Sequence, residues 1–270
     1  NRQNFNNSRI NNKKKNILTK DYWETVADNI LDCAKFDNGK HFFLNKVVQD
    51  HLAAENNYMG YRLLKKIQFH KNGHNFLSKL PTSPWGAPFL LKKFPAVAPI
   101  SLTHIANLLS IEDEFEKKIQ DYSSCLDFGG GFGGFASCIL RYNKSIRLTI
   151  VDLAQMLEVQ KIYLNQTLAI NNSLTFCENI NNLKSSIELF NASFSFSEIP
   201  LSSRKAVEKF IITNCNKIHI IFQSNFHQID NNKYMFELKN RLVDKGWTIS
   251  VKPYHWYGWD NCFVLFGSTS

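Results

Sequence analysis

Five glycines fall within the six positions Gly129–Gly134, and a carboxylate, Asp127, stands two positions before the first of them. Glycine lets the backbone turn sharply and approach a ligand with no Cβ in the way. An apolar run precedes these glycines and an amphipathic run follows them, which predicts a strand, a tight turn and a helix whose N–H groups face the turn. Gly129, Gly131 and Gly134 also fit the dinucleotide pattern G-x-G-x-x-G, so the stretch indicates a site for a nucleoside cofactor.

Asp127 distinguishes between the two nucleoside cofactors that bind to such loops. Its carboxylate would repel a pyrophosphate but attract the ammonium group of an amino-acid ligand. The pattern D-x-G-x-G-x-G, formed by Asp127, Gly129, Gly131 and Gly133, therefore resembles motif I of the class I S-adenosylmethionine (SAM) methyltransferases. This resemblance implies SAM as the cofactor and S-adenosylhomocysteine as its product. A turn without a ligand explains the glycines poorly, because so many of them cost backbone entropy.

A second carboxylate, Asp152, ends the predicted strand 147–151, about twenty residues beyond the glycines. An acidic residue at this point can accept hydrogen bonds from both hydroxyl groups of a ribose. NAD sites use the same arrangement, so Asp152 indicates a nucleoside without choosing between SAM and NAD. Three further residues near the ends of predicted strands complete the expected cofactor contacts: Leu153, Asn179 and Asn191.

Three residues in the loops after strands can accept the proton of a reacting hydroxyl group. We rank His227, after the fifth strand, first, because histidine suits a base that works near neutral pH. Glu198 follows the fourth strand and ranks second, and its alternative role is to cap the next helix. His255, in the last loop, ranks third.

Aromatic residues form the predicted acceptor surface. Tyr254, Trp256 and Tyr257 lie close together in the last loop, and Trp85 lies in the apolar proline-containing segment Ser83–Pro88. Their rings could stack on the face of a sugar or a base. Packing between the loop, the linker and a helical lobe explains them equally well.

The order of apolar runs predicts an α/β fold. Strands alternate with amphipathic helices, and two final strands have no room for a helix between them, so they form an antiparallel hairpin. The predicted strands are 123–128, 147–151, 174–177, 187–192, 217–222, 248–252 and 262–266. This pattern resembles the Rossmann-like sheet of the class I methyltransferases, which has seven strands in the order 3-2-1-4-5-7-6, the last of them antiparallel.

Three regions are expected along the chain. Residues 1–16 are Asn-rich and basic, which predicts a disordered arm. Residues 17–100 form a helical N-terminal lobe with a loop-rich linker over 71–100. Residues 101–270 form the SAM-binding core, which begins with a helix capped by Ser101.

Composition limits the possible partners. The 270 residues carry a formal net charge of +9, and the isoelectric point is about 9.2, which favours an anionic partner. The basic residues are spread along the sequence without a stripe that alternates with aromatics, so we expect a small phosphate-bearing acceptor and no nucleic acid. Six cysteines without metal-ligand spacing predict a reduced, cytoplasmic protein without a metal. No apolar run reaches the length of a membrane span.

Three features narrow the resemblance: the segment 191–200 after strand four, the pair Tyr22-Trp23, and the motif Trp85-Gly86-x-Pro88. Together they resemble the sugar O-methyltransferases of bacterial surface-polysaccharide (capsule) gene clusters. That family implies O-methyl transfer (EC 2.1.1) to a sugar, a nucleotide-sugar or another phosphorylated precursor in capsule biosynthesis. Some enzymes of such clusters methylate other decorations, including phosphoramidates.

Other readings remain open at this point. A nucleic-acid or other small-molecule methyltransferase is one, although strand four ends in Asn-Ala-Ser-Phe and not in the motif of base N-methyltransferases. A non-enzymatic scaffold protein with the SAM fold is another, but it would have no need to keep Asp127 and Asp152. A NAD-dependent enzyme is the last.

Overall fold

The computed structural model describes residues 20–52, 57–80, 82–92, 97–168 and 173–269. The predicted arm over residues 1–16 lies outside these ranges. Within them the six cysteines are free thiols, and four are buried.

A seven-stranded sheet forms the centre of the described chain. Its strands stand in the order β3-β2-β1-β4-β5-β9-β8, and β6 and β7 form a separate two-stranded hairpin. The strands are β1 Ser124–Phe128, β2 Arg147–Val151, β3 Leu174–Cys177, β4 Ile187–Ser193, β5 Cys215–Gln223, β6 Asn225–Phe226, β7 Ile229–Asp230, β8 Thr248–Pro253 and β9 Cys262–Ser268. Strands β1 to β5 are parallel, and β9 is antiparallel to both β5 and β8. Without the small hairpin, this is the predicted order 3-2-1-4-5-7-6.

Ten helices surround the sheet in the described ranges. They are α1 Lys20–Lys35, α2 Lys46–His51, α3 Asn57–Phe69, α4 Gly73–Lys79, α5 Pro99–Phe115, α6 Gly134–Tyr142, α7 Ala154–Thr167, α8 Ser195–Glu198, α9 Leu201–Asn214 and α10 Asn231–Val243. Short 3-10 turns occupy Phe36–Gly39, Phe42–Leu44, Ile119–Asp121 and Ile180–Asn182.

The two faces of the sheet are covered by different helices. Residues of α1 to α7 form one continuous apolar cluster with one face, and residues of α8, α9 and α10 form a second cluster on the other. Parallel strands covered on both faces are expected to be buried, and residues 218–222 of β5 are all buried. The N-terminal helices therefore share a single core with the sheet.

Helix α5 differs from its prediction at both ends. It begins at Pro99, with Ala98 in an extended conformation as its N-cap, because proline at the first position needs no N–H partner. Ser101 lies inside the helix, and its hydroxyl is hydrogen-bonded to that of Thr82 at 2.9 Å. The helix runs to Phe115 and is buried along most of its length, so it connects the N-terminal helices to the sheet.

The linker and the loops after the strands contain more structure than the sequence indicated. Helix α4 lies inside the stretch 71–100 that was predicted to be loop-rich. The short helix α8 and the hairpin β6–β7 were also not predicted. These pieces are too short for a hydrophobic period to become visible in the sequence.

Candidate functional site

The glycine loop joins β1 to α6 at the carboxyl edge of the sheet. Gly129, Gly131 and Gly133 have φ values of +70°, +56° and +96°, a left-handed conformation that side chains other than glycine rarely adopt. A Cβ on Gly131 would meet only Leu52, at 3.6 Å, so the loop has an open side at this position. Helix α6 begins at Gly134 and directs its first N–H groups towards the loop.

Asp152 stands directly after β2 and is held in place by two donors. Its Oδ1 accepts a hydrogen bond from Leu153 N at 2.8 Å, and its Oδ2 accepts one from Gln160 Nε2 at 2.8 Å. The same Gln160 amide donates to Gly131 O at 2.9 Å, so one buried side chain fixes the carboxylate and the glycine loop together. Burial raises the pKa of Asp152 to about 7.

Asp127 belongs to a polar row that crosses three strands on one face of the sheet. Strand register aligns Asp127 with Asn191 and Asn191 with His219. Asn191 Nδ2 donates to Asp127 Oδ1 at 2.7 Å, and His219 Nδ1 lies 2.8 Å from Asn191 Oδ1, which assigns the ring proton to Nδ1. Burial lowers the pKa of His219 to about 3, so the ring is neutral.

Asp127 offers an acceptor that suits a positively charged ligand group. Its Oδ2 is buried and has no hydrogen-bond partner within the described part of the chain. Burial, reinforced by the nearby Asp152, raises the pKa of Asp127 to about 7, and the hydrogen bond from Asn191 opposes this shift. An approaching ammonium group would favour the ionised carboxylate and satisfy the unpaired oxygen. The residues present therefore fit the amino-acid end of SAM.

The other predicted cofactor contacts lie at the same edge of the sheet. Leu153 is half-buried and is the N-cap of α7. Asn179 is exposed after β3, and its side chain accepts a hydrogen bond from Asn181 N at 3.0 Å. Asn191 is fully buried beneath Asp127, which places it behind the cofactor surface as a support for the carboxylate.

The short helix α8 contacts the glycine loop through its first residue and carries Glu198 at its end. Ser195 opens α8 and donates its hydroxyl to Phe128 O, and it fills the space that a Cβ on Gly129 would need. At the end of α8, Glu198 Oε1 accepts a hydrogen bond from Gln223 Nε2 at 3.1 Å. Burial raises the pKa of Glu198 to about 7. The carboxylate is thus tuned towards the range in which a general base works.

The two histidines predicted as bases are exposed. His227 has a φ of +50° at the tip of the β6–β7 hairpin, and its ring lies 5.7 Å from that of Tyr22. His255 lies in the loop between β8 and β9, where its carbonyl accepts a hydrogen bond from Lys66. Glu198 therefore lies on a helix that contacts the glycine loop, whereas His227 adjoins α1 and His255 adjoins α3. The role of each as a base stays a prediction.

Two of the four predicted acceptor aromatics make buried polar contacts. The hydroxyl groups of Tyr254 and Tyr257 both donate to Asn107 Oδ1, at 2.6 and 3.0 Å. Asn107 in turn donates to Ser193 Oγ at 3.0 Å, which ties α5 and the last loop to the end of β4. These contacts favour the packing interpretation for both tyrosines.

Trp85 and Trp256 are half-buried on opposite parts of the N-terminal helices. Trp85 Nε1 donates to Asn38 O at 3.1 Å, and its ring packs against Phe42, so its contacts also join the linker to the helices. Trp256 keeps a partly open ring, whose centroid lies 6.0 Å from that of His70.

Comparison with known proteins gives matches among solved structures. No family model matches the sequence, and no curated protein matches it either. Among solved structures, magnesium protoporphyrin IX methyltransferase (ChlM) from Synechocystis PCC 6803 with bound SAM aligns with a TM-score of 0.48 at 12% identity, over 83% of this chain and 96% of that one. The glycopeptide N-methyltransferase MtfA in complex with SAM aligns with a TM-score of 0.48 at 10% identity, over 61% of this chain and 94% of that one.

These overlaps are loose, and the strand order of the sheet is the deciding observation. Five parallel strands stand in the order 3-2-1-4-5, and the last strand of the chain, β9, lies between β5 and β8 and is antiparallel to both. The chain has the class I methyltransferase fold. In this fold the glycine loop, Asp127 and Asp152 stand at the carboxyl ends of β1 and β2, where parallel α/β sheets bind their ligands.

Sequence reasoning missed the buried polar residues that hold the site residues and the last loop in place. Gln160, His219 and Asn107 are buried polar residues, and only the register of the strands and the faces of α7 and α5 bring them to their partners. No group of three potential metal ligands occurs in the described ranges, and no helix there is long and apolar enough to cross a membrane.

Proposed function

We propose that the protein is a SAM-dependent methyltransferase. The observation that carries this proposal is the pair of carboxylates beside the glycine loop, Asp127 with an unpaired buried oxygen and Asp152 held by Gln160. An ammonium group and a ribose are the two parts of SAM that carboxylates recognise. A pyrophosphate next to Asp127 would instead bring like charges together.

Each residue of the site has a distinct task in this proposal. Asp127, supported by Asn191, would hold the ammonium group, and Asp152 would accept hydrogen bonds from the ribose hydroxyls. The open side of the loop at Gly131 lets the backbone approach the ligand. When bound, SAM supplies a methyl group that is already activated on a sulfonium. Glu198 would take the proton of the acceptor hydroxyl at its carboxylate.

We further infer that the acceptor is a hydroxyl group on a small anionic molecule. Glu198, whose pKa is raised to about 7, suits removal of a hydroxyl proton near neutral pH, and it ends the helix whose first residue, Ser195, contacts the glycine loop. The net charge of +9 suits a phosphate-bearing acceptor. A sugar, a nucleotide-sugar or another phosphorylated precursor of a bacterial surface polysaccharide combines both properties, in keeping with the family resemblance described above.

Calorimetric titration of the purified protein with SAM and with NAD tests the central proposal. We expect SAM to bind and NAD to give no saturable heat. Saturable binding of NAD without any response to SAM would refute the proposal.

Replacement of Asp152 tests how the cofactor is held. Because the carboxylate would accept charge-assisted hydrogen bonds from the ribose, Asp152→Ala should weaken SAM binding by about tenfold to hundredfold. Glu158→Ala is the matched control, since Glu158 is an exposed carboxylate on α7 that pairs with Lys161. Equal SAM affinity in the two variants would contradict the assigned role of Asp152.

A further inference from the structure

A groove of about 610 Å³ lies between helix α3 and the loop that joins β8 to β9. We call it the cationic groove. Its lining residues are Arg62, Lys65, Lys66, Phe69, His70, His255 and Trp256. Small-molecule sites in proteins have volumes of roughly 300–1,000 Å³, so the cationic groove has the size of a ligand site.

The charge of the cationic groove is unbalanced. Arg62 and Lys65 are exposed and make no ion pair with any residue in the described ranges. No carboxylate lines the groove. Asp113, which accepts a hydrogen bond from the lining residue His70 at 2.9 Å, also pairs with Lys71. An anion that entered the groove would therefore meet two free cations without displacing an internal carboxylate.

Aromatic residues alternate with these cations along one face of α3. Tyr58, Arg62, Lys65 and Phe69 follow each other at helical spacing, and the two aromatic side chains are 78% and 82% exposed. Covering exposed aromatic rings of this size with a ligand removes apolar surface from water, which is favourable in free energy. Together with Trp256 across the groove, they offer flat faces on which a ring can stack.

The wall opposite α3 is held in place before any ligand arrives. Lys66 Nζ donates to the carbonyl of His255 and, at 3.3 Å, to that of Trp256. Burial and the neighbouring Arg62 lower the pKa of Lys66, in agreement with its role as a contact to the loop. The guanidinium of Arg62 lies against Gly258, which has a φ of +71° and no room for a Cβ. A groove formed in advance costs a ligand less ordering entropy on binding.

The loop that closes the groove also reaches the carboxyl edge of the sheet. Tyr257 stacks on Phe194, with ring centroids 6.0 Å apart, and Phe194 directly follows β4. Phe194 is adjacent to Ser195, the residue that contacts the glycine loop. A ligand in the groove and a reacting group at the sheet edge would thus contact the same loop.

We propose that the cationic groove binds the phosphate-bearing end of the acceptor, and that this end is a nucleoside diphosphate. Arg62 and Lys65 would pair with the phosphates, and Trp256 would stack on the base or the sugar ring. The inference rests on the proposed function, because it gives the chemical class of the acceptor for that reaction. A groove of this size with two cations outside any described ion pair matches a dinegative small molecule better than an extended polymer.

Calorimetry with uridine diphosphate (UDP), uridine and inorganic pyrophosphate tests the proposal on the whole protein. The double variant Arg62→Ala/Lys65→Ala should weaken UDP binding by about tenfold or more. Lys205→Ala/Lys209→Ala removes the same charge from exposed positions of α9 on the opposite face of the sheet, and it should bind UDP like the unchanged protein. Trp256→Ala should weaken the binding of UDP and uridine but leave pyrophosphate binding unchanged.

Three results would overturn the proposal. One is the absence of saturable UDP binding. Another is an equal loss of UDP affinity in both double variants, which would show a general effect of charge. The third is a short single-stranded RNA that binds more tightly than UDP and depends on the same residues, since that would indicate a nucleic-acid surface. SAM is titrated separately, so failure of SAM to bind refutes the proposed function without altering the UDP result.

Discussion

At the scale of single residues, Glu198 and His227 differ in their surroundings. Glu198 lies on a helix that packs on the glycine loop, and burial raises its pKa to about 7. His227 is exposed at the tip of the β6–β7 hairpin, whose strands have two residues each. Sequence reasoning favoured His227, because the ordinary pKa of histidine is near neutral pH, whereas a carboxylate reaches that range only when its surroundings raise its pKa. The burial of Glu198 depends on the unpredicted helix α8.

Turnover as a function of pH should separate the two residues once an acceptor is known. With Glu198 as the base, activity rises with pH through about 7, because the carboxylate must lose its proton to act. Glu198→Gln should lower turnover by about 10²- to 10⁴-fold and leave SAM binding unchanged. Glu237→Gln, an exposed glutamate on α10, is the control. Full activity of Glu198→Gln together with an inactive His227→Ala would assign the base to His227.

The two carboxylates that we propose to bind the cofactor could be predicted from the sequence, and the residues that support them could not. The spacing of the sequence is enough to find the two carboxylates, since Asp127 lies near the end of β1, just before the glycines, and Asp152 directly follows β2. Gln160 is one polar residue among many on α7, and its function depends on the helix face that meets the loop. His219 is hidden in the same way within an apolar strand, where only register shows its partner.

At the scale of elements, the glycine loop combines a left-handed backbone conformation with an open side. Gly131 and Gly246 both have left-handed φ values, +56° and +85°. A Cβ on Gly246 would meet nothing within 4 Å, and one on Gly131 would meet only Leu52 at 3.6 Å. Both positions therefore have room for a methyl group, but only Gly131 belongs to the loop proposed to approach SAM.

Alanine at these two positions should separate stability from binding. Each substitution, Gly131→Ala and Gly246→Ala, should lower the free energy of unfolding by ~1–2 kcal/mol, the cost of a left-handed non-glycine residue. Only Gly131→Ala should also lose SAM affinity, because its methyl group would stand on the open side of the loop. Denaturant melts and SAM titrations measure the two effects. Unchanged SAM affinity in Gly131→Ala would place the cofactor elsewhere.

Long elements with a clear period were predictable, and short ones were not. The strands β2 and β3 coincide with their predicted bounds, and β1 begins one residue later than predicted. The other four sheet strands extend beyond their predicted bounds by one or two residues at one or both ends. Helix α4 was obscured by the prolines that surround it. The aromatic and cationic residues of α3 lie on one stripe only once the helix is formed, which is why the sequence showed no such surface.

At the scale of the whole molecule, three acidic groups are held with raised pKa values around one loop. Asp127, Asp152 and Glu198 all have pKa values of about 7, well above those of exposed carboxyl groups. Folding therefore takes up protons in the range where the unfolded chain has already released them. Each such group adds stability at low pH that is lost as the pH rises through about 7.

Comparison of the unchanged protein with Asp127→Asn should reveal this effect. The unchanged protein should lose stability relative to the variant by a few kcal/mol at most between about pH 5 and 8, because asparagine cannot ionise. The buried histidines His104 and His219, whose pKa values are lowered, titrate in the opposite sense and cancel in this comparison. Denaturant melts without SAM measure the difference. A difference that is independent of pH would mean that the pKa of Asp127 is unshifted.

The position of β9 determines when the molecule can be completed during synthesis. Strand β9 lies between β5 and β8, and the contact of Lys66 with Trp256 spans 190 positions of the chain. A nascent chain that has not yet released β9 from the ribosome exposes the edge of β5, whose residues 218–222 are buried in the complete fold. We expect such a chain to require protection by a chaperone, and we expect the cationic groove to be among the last features to form.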